Sequence, residues 1–270
     1  MSGQLLETET LTACPVCQGT TLSVVEEVGD SYIPLLVLWR CGHCGMIFLS
    51  PRLTLPAVIA VENESTVYSL TADEAEQRVT GDLATMAAYL GSFVRSGGRR
   101  WLDIGCNRGL LLEAARRLGW QPVGVEIATE PAQHARQQYG LTVYASLAEL
   151  GQEGLFDMIT AWHVLEHTTD PVDFLRTAAS KLARGGVLAL QVPAYEFRDE
   201  FERREQLGSL LCTVHNFYFT RDSLADVLKR TGLHTLSIGA DPQSLLLTAI
   251  CSKQPPQLTW RQRLRSLLRI

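Results

Sequence analysis

Residues Trp101-Leu102-Asp103-Ile104-Gly105-Cys106-Asn107-Arg108-Gly109 run directly into Leu110-Leu111-Leu112-Glu113-Ala114-Ala115-Arg116-Arg117-Leu118-Gly119. An apolar run ending in an acid, a turn with glycine at each end, and a periodic Leu/Ala segment spell strand, loop and helix. Gly105 and Gly109 let the backbone approach a ligand that a Cβ would push away. The turn reads G-x-N-x-G, whereas the dinucleotide fingerprint is G-x-G-x-x-G, so a pyrophosphate on the helix N-terminus is disfavoured. Another adenosine ligand, met by Asp103 and the loop amides, fits better.

Downstream, Gln121-Pro122-Val123-Gly124-Val125-Glu126-Ile127 is a second strand, and Glu126 lies 21 residues beyond Gly105. A doubly wound sheet brings an acid at that separation to the ribose hydroxyls, where a carboxylate can accept from both. Residues 142–146, 156–163 and 187–192 read as further strands, and Gly185-Gly186 as the end of the intervening helix. Asp170-Pro171 carries the start signal of that helix, with Asp as cap and Pro in the first turn. Two closing runs, 233–239 and 244–251, meet at Asp241-Pro242, and residues 71–94 form one helix ahead of the first strand. Strands alternating with helices predict a parallel α/β sheet.

Asp-Ile-Gly-Cys-Asn-Arg-Gly resembles the D-x-G-x-G-x-G signature of class I S-adenosylmethionine-dependent methyltransferases, with Asn107 at the middle glycine. Asn tolerates left-handed angles, so the departure is mild. The resemblance implies a Rossmann-like three-layer sandwich whose last strand is antiparallel, and transfer of a methyl group from S-adenosylmethionine. It implies a cofactor site of Asp103, Gly105, Cys106, Asn107, Gly109, Glu126, Ile127, Ser146, Leu147, Trp162 and His163.

Trp162-His163-Val164-Leu165-Glu166-His167 resembles the V-L-E-H segment after the fourth strand of small-molecule methyltransferases, which sets His163 and His167 beside the methyl. His167 otherwise braces the loop by hydrogen bonding. His-x-x-Glu-His is also the inverted zinc-peptidase signature, but that motif needs a helix to align its histidines, and this one follows a strand. His215-Asn-Phe-Tyr-Phe-Thr220 resembles the family's H-x-x-x-F-T entry to a helix. Methylation at oxygen releases a proton, and histidine titrates near neutrality. His215 is therefore the favoured base, with His163 and His167 in reserve.

Toward the N-terminus, Cys14-Pro-Val-Cys17 and Cys41-Gly-His-Cys44 are C-x2-C knuckles separated by 23 residues. Four converging thiolates form a closed tetrahedral zinc site that is structural and has no open position. The knuckles, with Phe48-Leu-Ser-Pro51-Arg52, resemble the zinc ribbon attached to bacterial methyltransferases of saccharide and secondary-metabolite pathways. The expected layout is a ribbon over 1–55, a methyltransferase domain over 60–253, and a basic amphipathic tail over 254–270 whose residues 261–270 suit weak contact with an anionic membrane surface.

The chain has 270 residues, 46% hydrophobic and 20% charged, with a formal charge of -5. That composition describes a globular protein with no electrostatic footprint for nucleic acid. No run approaches the roughly 20 apolar residues that span a bilayer, and the N-terminus lacks signal-peptide character, so a cytoplasmic protein is expected. The expected acceptor is a small molecule or saccharide. RNA methylation and a non-catalytic cofactor- and zinc-binding protein are the alternatives. Between residues 193 and 220, charge and aromatics interrupt the alternation, and the segment reads either as a substrate cap or as ordinary packing.

Overall fold

A computed structural model describes residues 6–28, 36–64, 70–95, 97–151 and 153–255. The tail segment 261–270, expected to touch membranes, lies outside them. The first strands are β1 (Thr8–Glu9), β2 (Leu22–Val28), β3 (Leu36–Cys41), β4 (Ile47–Leu49) and β5 (Arg52–Leu53). Helices α1 (Leu55–Glu64), α2 (Ala72–Thr80) and α3 (Asp82–Gly91) lead to β6 (Arg100–Ile104), α4 (Leu110–Arg117), β7 (Gln121–Val125), α5 (Thr129–Tyr139) and β8 (Thr142–Tyr144). Then come β9 (Phe156–Trp162), α6 (Pro171–Ser180), β10 (Leu182–Pro193), α7 (Arg198–Arg203), α8 (Leu207–Leu210) and β11 (Phe217–Tyr218). Helix α9 (Arg221–Arg230) and strands β12 (His234–Asp241) and β13 (Leu246–Ser252) close the described chain.

The main sheet has the order β12-β13-β10-β9-β6-β7-β8. Strands β10, β9, β6, β7 and β8 pair in parallel, and β13 is antiparallel to both its neighbours. Alternation along the strands explains the three layers. Leu102 and Ile104 of β6 join Val172 and Leu175 of α6 and Leu224 and Val227 of α9 on one face. Trp101 faces the other way, with Leu83 and Leu90 of α3 and Leu112 of α4. Order reverses between β6 and β9, the place where open sheets of this kind bind ligands.

The expected helix over 71–94 is two helices broken at Gly81, where a Cβ would lie 2.8 Å from Gln77 O. Gly185-Gly186 does not end α6, which stops at Ser180. The two glycines lie where the β9–β10 register shifts between Leu182 and Val187, and a Cβ at Gly186 would meet the Phe156 and Asp157 carbonyls at 2.9 Å. Asp170 caps α6 as expected, accepting from Val172 N and Asp173 N.

A second sheet, β11-β4-β3-β2, joins the cysteine-bearing segment to the large domain, because β11 comes from the 193–220 segment. Phe217 pairs with Phe48, and Tyr218 with Ile47. Phe201, Phe217, Tyr218 and Phe219 are all buried. Phe201 and Tyr218 pack with Leu38, Ile47 and Leu49 of the N-terminal strands. Packing therefore accounts for these aromatics. Arg198 adds an ion pair to Glu26 across the same boundary.

Candidate active site

Asp103 ends β6 and is buried. Trp101 Nε1 donates to Thr160 Oγ1 at 2.9 Å, and that hydroxyl donates to Asp103 Oδ1 at 2.6 Å. Burial raises the Asp103 carboxyl to about 7, with the Glu126 charge adding to the rise against the Thr160 hydrogen bond. Its neutral form is thus substantially populated near pH 7, and a cationic ligand would shift it toward the carboxylate.

Glu126 follows β7, and its Oε1 and Oε2 accept from Ala128 N and Asn107 N, each at 2.8 Å. These bonds oppose the burial that raises its pKa. They tie the acid to the glycine loop and leave acceptor capacity on both oxygens. Gly105, Asn107 and Gly109 all have positive φ, at 73°, 48° and 81°, so the departure at Asn107 keeps the left-handed conformation.

The glycines also make room for the chain itself. A Cβ on Gly105 would stand 2.4 Å from Val164 Cγ2, and one on Gly109 would stand 2.6 Å from Leu141 Cδ1. Cys106 points inward, where a Cβ on Gly124 would lie 2.5 Å from its Sγ, so only its backbone faces the loop exterior. Ile127 is exposed beside Glu126, and Ser146 and Leu147 are half-buried after β8. Trp162 ends β9 and carries a buried Nε1 donor with no hydrogen-bond partner among the described residues. The donor set suits S-adenosylmethionine: buried carboxylates for a cation and hydroxyls, amides and an orphan N–H for a carboxylate, and no phosphate cradle.

Beyond β9, His163 adopts a positive φ of 54° and is exposed, and Leu165–His167 forms a short 3-10 turn. No α-helix aligns His163 with His167, as the peptidase motif requires. His163 Nδ1 stands 3.4 Å from Oε1 of the buried Glu166. Burial works to raise Glu166, yet His163, His167 and His215 hold it below the ordinary carboxylate range. His215 is buried one layer deeper, its Nδ1 2.7 Å from Leu210 O and its ring 4.8 Å from that of His167. Burial pushes His167 down to about 4; it also opposes protonation of His215, but Cys212 and Glu166 lift that ring to about 9.

The knuckles converge as expected. Cys14 Sγ lies 3.6 Å from Cys44 Sγ, and Cys17 Sγ 3.5 Å from Cys41 Sγ. Four Zn–S bonds of about 2.3 Å imply tetrahedral edges of about 3.8 Å, so Cys14, Cys17, Cys41 and Cys44 could hold a structural zinc with small shifts. His43 instead packs on Gly19, where a Cβ would fall 2.6 Å from its Nδ1. Sequence reasoning left Arg52 without a task. The structure buries it between Glu9 and Thr169 O, pinning the loop after His167 to the N-terminal segment.

Residues 74–238 match the family model described as Methyltransferase domain. The chain belongs to that family. The methyltransferase is 38% identical over 111 residues to "Ubiquinone biosynthesis O-methyltransferase" of Xanthomonas campestris pv. campestris (strain B100), a match covering 38% of this chain and 46% of that protein. It is 41% identical over 100 residues to the protein of the same description from Caulobacter sp. (strain K31), covering 34% and 39%. The chain thus spans less than half the length of these curated relatives. Among solved structures, a chain of the complex between the Haloferax volcanii Trm112 methyltransferase activator and a methyltransferase aligns with TM-score 0.53 and 16% identity, over 68% of this chain and 95% of that one. The plantazolicin methyltransferase BpumL in complex with SAH aligns with TM-score 0.52 and 14% identity, over 73% and 89%. At these identities the structures support the Rossmann-like fold alone. The S-adenosylmethionine-dependent methyltransferase expected from the glycine loop agrees with both family and fold.

Proposed function

We propose that the chain transfers a methyl group from S-adenosylmethionine to an oxygen of a small-molecule acceptor. The observation carrying this reading is the pair Asp103 and Glu126, buried at the ends of adjacent parallel strands around a loop with three left-handed residues. Asp103 meets the ammonium, Glu126 the ribose hydroxyls, and Ile127, Ser146 and Leu147 the adenine. Gly105, Cys106, Asn107 and Gly109 contribute backbone, and Trp162 its indole N–H. When bound, S-adenosylmethionine supplies an electrophilic methyl on a sulfonium. The protein's part is to align acceptor oxygen, methyl and sulfur.

His215, the base favoured from sequence, is buried, so of the three histidines proposed to take the acceptor's proton we favour His163 instead, the exposed one at the ligand end of the sheet, with Glu166 behind its Nδ1. A carboxylate there orients the imidazole and favours its cation, as proton abstraction requires. His167 and His215, lying deeper, hold Glu166 in place. The relatives described as ubiquinone biosynthesis O-methyltransferases favour a small-molecule acceptor, and a saccharide is one candidate within that class. We take residues 1–55 as a zinc-holding segment and 60–253 as the catalytic domain, in a cytoplasmic setting where thiols stay reduced.

Calorimetry with S-adenosylmethionine tests the reading. Binding should be lost in Asp103→Ala and in Glu126→Ala. Unchanged affinity in both variants refutes it.

A further inference from the structure

The structure assigns a second metal site to the methyltransferase: we propose that Glu166, His167 and His215 together bind one divalent transition-metal ion, zinc foremost, apart from the four-cysteine site. One ligand atom from each of the three residues lies within 4.8 Å of the others. Bonds of about 2.0–2.2 Å to a single ion imply ligand separations of about 3.4 Å, so side-chain shifts of about 1 Å would close the site.

Glu166 supplies the second observation. Its side chain is 1% exposed, and neither carboxylate oxygen has a hydrogen-bond partner among the described residues. The approach of His163 Nδ1 at 3.4 Å is an ion-pair distance and leaves Oε2 unengaged. Oε2, withdrawn from water with no hydrogen-bond partner among the described residues, is costly to bury, and an ion beside it removes that cost.

The imidazoles are set as ligands. Leu210 O can only accept, so His215 Nδ1, 2.7 Å away, carries a hydrogen, and Nε2 is the ring nitrogen left to take an ion in exchange for a proton. His167 makes a ring hydrogen bond to the backbone of Val214. A backbone carbonyl holding the far side of a ligating histidine is the usual outer shell of a metal site. The Cys212 thiol, hydrogen-bonded to the His215 ring, stands at the edge of the cluster as a further soft donor.

The backbone builds the triad from distant parts of the chain. Asn216 donates its N–H to Glu166 O at 2.7 Å, and its Nδ2 donates to His167 O and Thr168 O, each at 3.1 Å. Two imidazoles and one carboxylate suit zinc and its first-row neighbours better than calcium or magnesium. Three protein ligands leave a coordination position for water or an acceptor oxygen.

The test uses the full chain, loaded with excess zinc, desalted and assayed for metal. About two ions per chain are expected, and about one in Glu166→Gln and in His215→Asn. Uptake of only one ion by the wild type, with its knuckle thiols protected from alkylation, overturns the proposal. So does retention of two in the triple variant Glu166→Gln, His167→Asn, His215→Asn. Where a variant fails to fold, cobalt added after zinc has filled the thiolate site gives the answer in the wild type. Its X-ray absorption should report nitrogen and oxygen neighbours, and a shell of sulfur alone or oxygen alone overturns the site. None of these readouts depends on methyl transfer.

Discussion

Asn216 donates its backbone N–H to the carbonyl oxygen of Glu166 at 2.7 Å, and its own carbonyl accepts from Leu49 N at 3.0 Å. One residue thereby joins β4 of the cysteine-bearing sheet to the turn that carries Glu166 and His167. The zinc segment is wired to the candidate catalytic loop through the backbone.

Replacing Asn216 by Ala removes two side-chain hydrogen bonds and leaves the carbonyls of His167 and Thr168 without those donors. The expected cost is about 1–3 kcal/mol in denaturant unfolding. Methyl transfer should fall further than S-adenosylmethionine affinity, because Asp103 and Glu126 are held at the ends of β6 and β7 rather than by Asn216. Equal loss of both would show that Asn216 serves only the fold.

Asp103→Asn should abolish cofactor binding yet stabilise the ligand-free protein at alkaline pH. The native carboxyl titrates at about 7, against an ordinary value of 3.8. Between those values the native state binds more protons than the unfolded state, so stability falls as pH rises through the window. The amide has no such penalty. Unfolding curves at pH 5 and pH 8 should therefore converge in the variant at this site's contribution. S-adenosylmethionine affinity in the wild type should rise with pH across the same window, because the ammonium needs the ionised acid. An affinity that is flat between pH 5 and 8 contradicts this assignment.

Gly105→Ala combines a left-handed φ of 73° with a Cβ 2.4 Å from Val164 Cγ2. The backbone component costs about 1–2 kcal/mol, and the clash adds to it. Val164→Ala in the same chain should recover the steric part and leave the backbone part. Simple additivity in the double-mutant cycle would mean that the two residues do not touch.

Removing metal with a strong chelator should melt β2, β3 and β4 and take with it much of the roughly 10 kcal/mol that a structural zinc site can supply. Phe217 and Tyr218 pair with β4, so methyl-transfer activity should decline together with zinc content. Full activity in a zinc-depleted, folded protein would show that the two segments are independent.

Residue types and spacings alone made much of the site legible. The Asp103 to Gly109 loop, the Asp170 cap and the paired knuckles are local patterns whose physics operates within a few residues, and each recurs in the structure. The α2–α3 break was harder to read, because Gly81 sits in an otherwise continuous helical stripe and only its actual φ and ψ interrupt it. Gly185-Gly186 carried the composition of a helix end, but its role is close backbone approach to β9, which no local pattern records.

From the sequence by itself came the order of strands and helices, the acids at the strand ends and the four thiols, because periodicity, capping and ligand chemistry are written locally. Tertiary structure alone decided that β11 completes the cysteine-bearing sheet, that Val164 closes on Gly105, and that Glu166, His167 and His215 meet. Those contacts join residues far apart in the chain. They arise from burying apolar faces between the sheet and its neighbours, a condition of the whole molecule that no short window of residues contains.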